Sequence, residues 1–251
     1  MSDVQNFENG LQKLATIVPK LIAGVRDFLQ SDEVISVMRV AHRNLICQDA
    51  GWLFHYTTPI HLFTDEMNAR DAGTMLEEYY RTNWPDIETS FRHELQASDV
   101  DDEAKAAFDE ALRAHRAGLY RCSVRTLFPE IERQARIHFN GGKLNSLASL
   151  KEVRKAIGGL GWSELQEARN GPVFVQFATM AHHLYEKVET QESFEKFSAT
   201  PIPNRHAAVH GLISYDSMQS SIAALIMTEF MFRMITFIKN RDASPETSNP
   251  A

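Results

Sequence analysis

The sequence predicts an all-α protein: a helical bundle carrying an N-terminal helical extension. Three observations point there. Apolar residues recur at alternating steps of three and four, which is the spacing of one helix face. A long run near the C-terminus, Ile222 to Ile238, is apolar on most faces, as a central bundle helix would be. No stretch alternates apolar and polar residues with a period of two, and no internal repeat is visible. The expected organisation is an N-terminal helical region over residues 1–100, a bundle over 101–242 and a disordered Ser, Pro, Thr and Asn tail over 243–251.

From Val4, the residues Phe7, Leu11, Leu14, Val18, Leu21, Val25 and Phe28 form a stripe narrow enough for a helix–helix seam, with Pro19 expected to kink or divide it. A second helix is predicted from about Asp32 to Cys47, after Ser31 or Asp32 as cap, with Val34, Ile35, Val37, Met38, Ala41 and Leu45 apolar. Gly51 to Pro59 is rich in rings and has no helical period, so it reads as filling for the joint between the N-terminal helices and the rest. Ligand stacking is the alternative there. Thr64-Asp65-Glu66 is expected to open a helix reaching Thr82, and Pro85 suits the first position of a shorter one through Leu95.

The acidic run Asp99 to Glu103 belongs at a helix N-terminus, where negative charge complements the dipole, in preference to a metal site. The helix it starts, 101 to 117, ends at Gly118, and the next runs from about Tyr120 to Phe139. Val124, Leu127, Phe128, Ile131 and Ala135 share one face of it, and Pro129 should bend it and redirect Glu130 and Glu132, one of which can orient a basic partner. Between Asn140 and Trp162, five glycines alternate with Lys143, Lys151, Arg154 and Lys155. No Gly-Lys-Ser/Thr ending follows a strand, which excludes a phosphate loop and leaves a short basic helix between flexible turns. Pro172 starts a helix whose Val173, Val175, Phe177, Ala181, Leu184 and Val188 pack inward, and the final helix covers about Asp216 to Lys239.

Two cysteines, Cys47 and Cys122, lie far apart without metal-ligand spacing, so reduced thiols in a cytoplasm are expected and cysteine-bound zinc is not. The first residues lack the basic and apolar segments of a secretory signal. Glu229 and Arg233 interrupt the apolar C-terminal run as an i,i+4 pair, which argues for a buried helix and against a membrane span. The net charge of −7 hides an asymmetry: residues 113–161 hold ten Lys and Arg against three acids. That segment can offer phosphate a local basic face, or can equally be a solvated helix surface.

The richest chemistry lies in Pro201-Ile202-Pro203-Asn204-Arg205-His206-Ala207-Ala208-Val209-His210-Gly211. The prolines deliver Asn204 as cap of a short helix beginning at Arg205, and Gly211 ends it. Five residues separate Arg205 from His210, about 140° around a helix, so both can border one cleft. This Arg-(four residues)-His pattern, with polar His206 after the arginine and a long apolar helix behind it, resembles the signature of HEPN domains. Pro129-Glu130-Ile131-Glu132 resembles the acidic helix upstream of that motif, and the likeness extends over residues 105–240, closest to a bacterial branch.

The resemblance implies a helical, dimeric, metal-independent RNase acting in toxin–antitoxin or phage-defence systems, with RNA as substrate, no cofactor, and an antitoxin or regulatory protein as a further partner. Other members have lost catalysis, so a non-catalytic module binding RNA, nucleotide or protein is the alternative. RNA supplies its own nucleophile, the 2′-hydroxyl, and such an enzyme needs only proton transfer and charge stabilisation. On that reading His210 exchanges protons, Arg205 forks onto phosphate, Asn204 or His206 orients the reacting group or holds a neighbouring phosphate, and Lys143, Lys151, Arg154 and Lys155 bind the chain. Two rivals remain: Arg205 and His210 as a structural pair pinning the loop to the last helix, and His206 with His210 as zinc ligands, for which no third ligand is evident. His182 and His183 read as structural. The apolar circumference of the last helix suggests a homodimer built around it.

Overall fold

A computed structural model of the chain describes residues 30–139 and 182–243, and among these it contains helices and no strand. The expected stripe at residues 4–28, the glycine and lysine segment with Lys143, Lys151, Arg154 and Lys155, the helix from Pro172 up to residue 181 and the tail after Ala243 lie outside the described residues; Leu184 and Val188, expected to pack inward, are buried.

Helix α1, Asp32–Asp49, starts where the Ser31 hydroxyl accepts the Val34 amide, satisfying one of the donors every helix start leaves open. Its inward side is narrower than its composition suggested. Ile46 and Cys47 are buried, while Ile35, Val37, Met38 and Leu45 face solvent. After a loop and a 3-10 turn at Ile60–Leu62, α2 spans Ala69–Thr82 and α3 Trp84–Ala97. The start of α2 corrects the expectation at Thr64: Asn68, whose Oδ1 accepts the Asp71 amide at 3.0 Å, is the cap, and Thr64 to Met67 form a turn ahead of it. Pro85 stands in the first turn of α3 as expected.

Helix α4, Asp102–Arg116, begins at Asp101, whose carboxylate accepts the Ala104 amide at 2.9 Å, so the acidic run does cap a helix. Helix α5, Tyr120–Phe139, runs through Pro129 without a break, and its five predicted inward residues are all buried. A short α6, Gln191–Ser198, and the five-residue α7, Arg205–Val209, lead to α8, Met218–Ala243. α8 begins two residues later than predicted because Asp216 turns away to Arg121 (3.1 Å), leaving the Ser217 hydroxyl to accept the Ser220 amide.

Helix α8 is the centre of the molecule. Ile222 to Phe232 is buried within the chain almost without interruption, packed by α3, α4 and α5. Phe108 of α4 meets Phe232 at 5.8 Å between ring centres, and burying such a side chain contributes about 1.5–3 kcal/mol. The apolar circumference that suggested a dimer is therefore covered by the chain itself. By length and composition α8 is apolar enough to cross a membrane, yet most of that stretch is buried inside the protein.

The ring-rich loop after α1 packs on the same helix, so buried residues from both sides of position 100 share one core. Trp52 stacks on Tyr80 at 5.2 Å, and His55 lies against Phe91. His55 Nδ1 is 2.8 Å from the Thr57 hydroxyl and its Nε2 is 3.2 Å from the Glu229 carboxylate, which reaches Arg233 at 3.5 Å. A buried carboxylate needs such partners, because leaving it alone in an apolar interior costs several kcal/mol. Burial pushes the His55 pKa below its ordinary value, against the pull of Glu229.

Candidate functional site

The short helix α7 has too few residues to form unaided, since its one turn fixes several dihedrals for very few hydrogen bonds. Its surroundings hold it. The Ser220 hydroxyl donates to the Pro201 carbonyl at 2.7 Å, and His183 Nε2 donates to the Ile202 carbonyl at 2.9 Å. Asn204 then uses its whole side chain. Its Oδ1 accepts the Ala207 amide at 2.9 Å, and its Nδ2 donates to the His183 and Glu186 carbonyls at 2.7 and 2.8 Å. The residue is completely buried. The expected cap is therefore present, but no atom of Asn204 is left over for a reacting group, which corrects its place among the catalytic candidates. His183 is structural, as expected. Gly211, at φ +70°, closes α7 in the left-handed region that favours glycine.

Arg205 does not pair with His210. Its Nη1 meets the Glu132 carboxylate, and its guanidinium lies over the Tyr185 ring at 5.5 Å. Glu132 also takes Arg136 at 3.0 Å, so one carboxylate on α5 serves two guanidiniums. Burial raises the Tyr185 hydroxyl to about 12, and Arg205 beside it opposes that shift. The Arg205 Nε, the His206 Nδ1 and the Tyr185 hydroxyl are buried without a hydrogen-bond partner. Of the two acids singled out by sequence, Glu132 is thus the one that reaches the motif. Glu130 instead holds Arg133 at 2.7 Å and Gln134 at 3.1 Å, in a network shared with Asp101 on α4.

His206 and His210, one turn apart, come together with ring centres 4.6 Å apart and planes inclined by 52°. Desolvation lowers the His206 pKa, with nearby His210 and Arg205 adding to the effect, so this imidazole favours its neutral, proton-accepting form at neutral pH. His210 is exposed. Among the described residues no three His, Cys, Asp or Glu side chains are grouped to hold a metal ion. Arg205 and His210, the pair that sequence spacing emphasised, are turned to different partners, and the histidine pair is the one that converges.

The basic segment is largely neutralised where it is described. Arg113 meets Asp109 at 3.2 Å, Arg116 meets Glu88, Arg121 meets Asp216 at 3.1 Å, and Arg133 and Arg136 hold the acids already named. These five form no free phosphate-binding face; tertiary pairing with acids from other parts of the chain consumes the positive excess. Arg125 is the exception among the described arginines of this segment, exposed and in no ion pair with another described residue.

Sequence reasoning missed Tyr185 and Arg125 as neighbours of the motif, and His55 with Glu229 as a buried pair. For Arg125 a signal existed: it stands seven residues before Glu132, which places both on one side of α5. Compared with known proteins, the chain matches no family model, no curated protein and no solved structure.

Proposed function

We propose that the α7 turn is the active site of a metal-independent, HEPN-like endoribonuclease. The observation that carries this reading is the His206–His210 pair, two imidazoles 4.6 Å apart on a turn whose backbone is held by buried hydrogen bonds. Such a pair suits general acid–base chemistry on a substrate that brings its own nucleophile. Neutral His206 takes the proton of an RNA 2′-hydroxyl. The 2′-oxygen bonds to the adjacent phosphorus as the bond to the 5′-oxygen breaks, and protonated His210 supplies the proton to that leaving oxygen. The products are a 2′,3′-cyclic phosphate and a 5′-hydroxyl. Guanidinium charge beside the turn stabilises the phosphorane. A cytoplasmic setting, expected from the two widely separated cysteines, and a homodimer that brings two turns together and a regulatory or antitoxin partner, both implied by the resemblance, complete the proposal.

A non-catalytic binding module is the second reading, and the engagement of Arg205 with Glu132 favours it, because that guanidinium is already partly occupied. One experiment separates the two. Purified protein is incubated with total RNA in EDTA, wild type beside His206→Ala and His210→Ala, with fragment ends analysed. Cleavage to cyclic phosphates, lost in both variants while thermal melting is unchanged, supports the nuclease. Cleavage abolished by EDTA and restored by a divalent ion, or insensitive to both substitutions, refutes it.

A further inference from the structure

We infer that Arg125, on α5 and outside the Arg-(four residues)-His motif, is the residue that grips the substrate phosphate; this rests on the nuclease reading above. Four observations converge. First, five neighbouring arginines of the segment are held by carboxylates, whereas Arg125 is exposed and pairs with no carboxylate among the described residues, which leaves its N–H donors uncommitted there. Second, its Nη2 lies against Gly211, 3.7 Å from where a Cβ on that glycine would stand, at the closing end of the motif turn and one residue from His210.

Third, Arg125 and Glu132 are seven residues apart on α5, nearly two full turns, so they share a face about 10 Å apart along the axis. Because Glu132 contacts Arg205 and Arg125 contacts Gly211, α7 lies antiparallel along that face with one guanidinium at each end. Fourth, Arg205 is constrained by Glu132 and by the Tyr185 ring, which suits a residue that positions the turn. The phosphate-gripping role that the motif alone would give to Arg205 thus passes to a side chain two turns earlier on α5. A phosphodiester is the chemistry that a forked guanidinium, uncommitted among the described residues and set against the end of a turn carrying two imidazoles, recognises.

The test compares Arg125→Gln and Arg125→Lys with Arg121→Gln, a control one turn away whose guanidinium is held by Asp216. Binding of a 2′-O-methyl RNA oligonucleotide, which lacks the attacking hydroxyl, is titrated from 50 to 200 mM salt. A single-strand phosphate contact contributes a slope of about 0.7 in log affinity against log salt, so wild type should lose about 2.6-fold more affinity over that range than Arg125→Gln. Arg125→Lys should keep the salt slope yet bind more weakly, having lost the fork, and Arg121→Gln should match wild type. Wild-type binding with an unchanged slope in Arg125→Gln overturns the assignment of Arg125 and leaves the nuclease reading standing. Absence of RNA binding by wild type overturns both.

Discussion

Asn204 offers the sharpest separation of structure from chemistry, because a single isosteric change alters two of its three side-chain hydrogen bonds and leaves the third. In Asn204→Asp the oxygen that accepts the Ala207 amide remains, while the amide nitrogen that donates to the His183 and Glu186 carbonyls becomes a second oxygen. Two buried carbonyls at 2.7 and 2.8 Å then face an acceptor. Leaving a buried polar group unsatisfied costs about 1–3 kcal/mol, so the pair predicts a loss of about 2–6 kcal/mol at neutral pH. The pH dependence has a definite sign. A carboxyl group walled in by carbonyl oxygens has its folded-state pKa raised, so the folded form gains a proton before the unfolded form does, and the deficit shrinks as pH falls from 7 towards 4. Urea unfolding followed by circular dichroism at pH 7.5 and pH 5 measures both quantities. An Asp variant as stable as wild type at pH 7.5, or a deficit that grows on acidification, would refute the account of this turn and restore Asn204 as a candidate for chemistry.

Buried His115, against Trp84 at 3.8 Å and hydrogen bonded to Ser221 at 2.8 Å, has its pKa pushed down to about 3 by desolvation. Its stabilising contribution is complete above about pH 6.5 and is lost below it, so acidification to pH 5 should remove about 2 kcal/mol from wild type relative to His115→Gln, read as the change in their difference in unfolding free energy. Gly51→Ala should destabilise more than Gly118→Ala in thermal melts: both have positive φ, but a Cβ at 51 stands 2.9 Å from Pro201 Cγ whereas nothing lies near one at 118. If the proposed shared cleft exists, sedimentation at micromolar concentration should show a dimer whose dissociation abolishes cleavage with helicity retained; a monomer with cleavage linear in protein removes that cleft.

Much of the fold was legible because its signals are local. Caps at Ser31, Asp101 and Asn204 act on amides three residues ahead, and the inward face of α5 is set by its own period. What escaped depends on distant chain meeting. His55 and Glu229 are 174 residues apart in sequence, and nothing near either residue names the other. The charge excess of residues 113–161 left two readings open for the same reason: Glu88 and Asp216, which neutralise Arg116 and Arg121, lie outside that segment. The face of α1 misled differently, since apolar composition carries no account of which side a neighbouring element covers.

The motif shows how the two kinds of information combine. A five-residue helix persists only if its environment supplies what cooperativity does not, and here Asn204, His183, Ser220 and Arg205 supply it through hydrogen bonds and an ion pair. Those commitments sort the residues. A side chain whose donors and acceptors are all engaged within the fold cannot change partners during a reaction without loosening the turn that carries it. A side chain with unmatched polar atoms at the same place can. His206, with an unpartnered Nδ1, exposed His210, and Arg125, which pairs with no described carboxylate, are in the second group; Arg205 stands between, its Nη1 held by Glu132 and its Nε without a partner. The spacing of Arg205 and His210 located this turn, but the partners of each side chain, which spacing does not encode, determine which of its residues are free to meet a substrate.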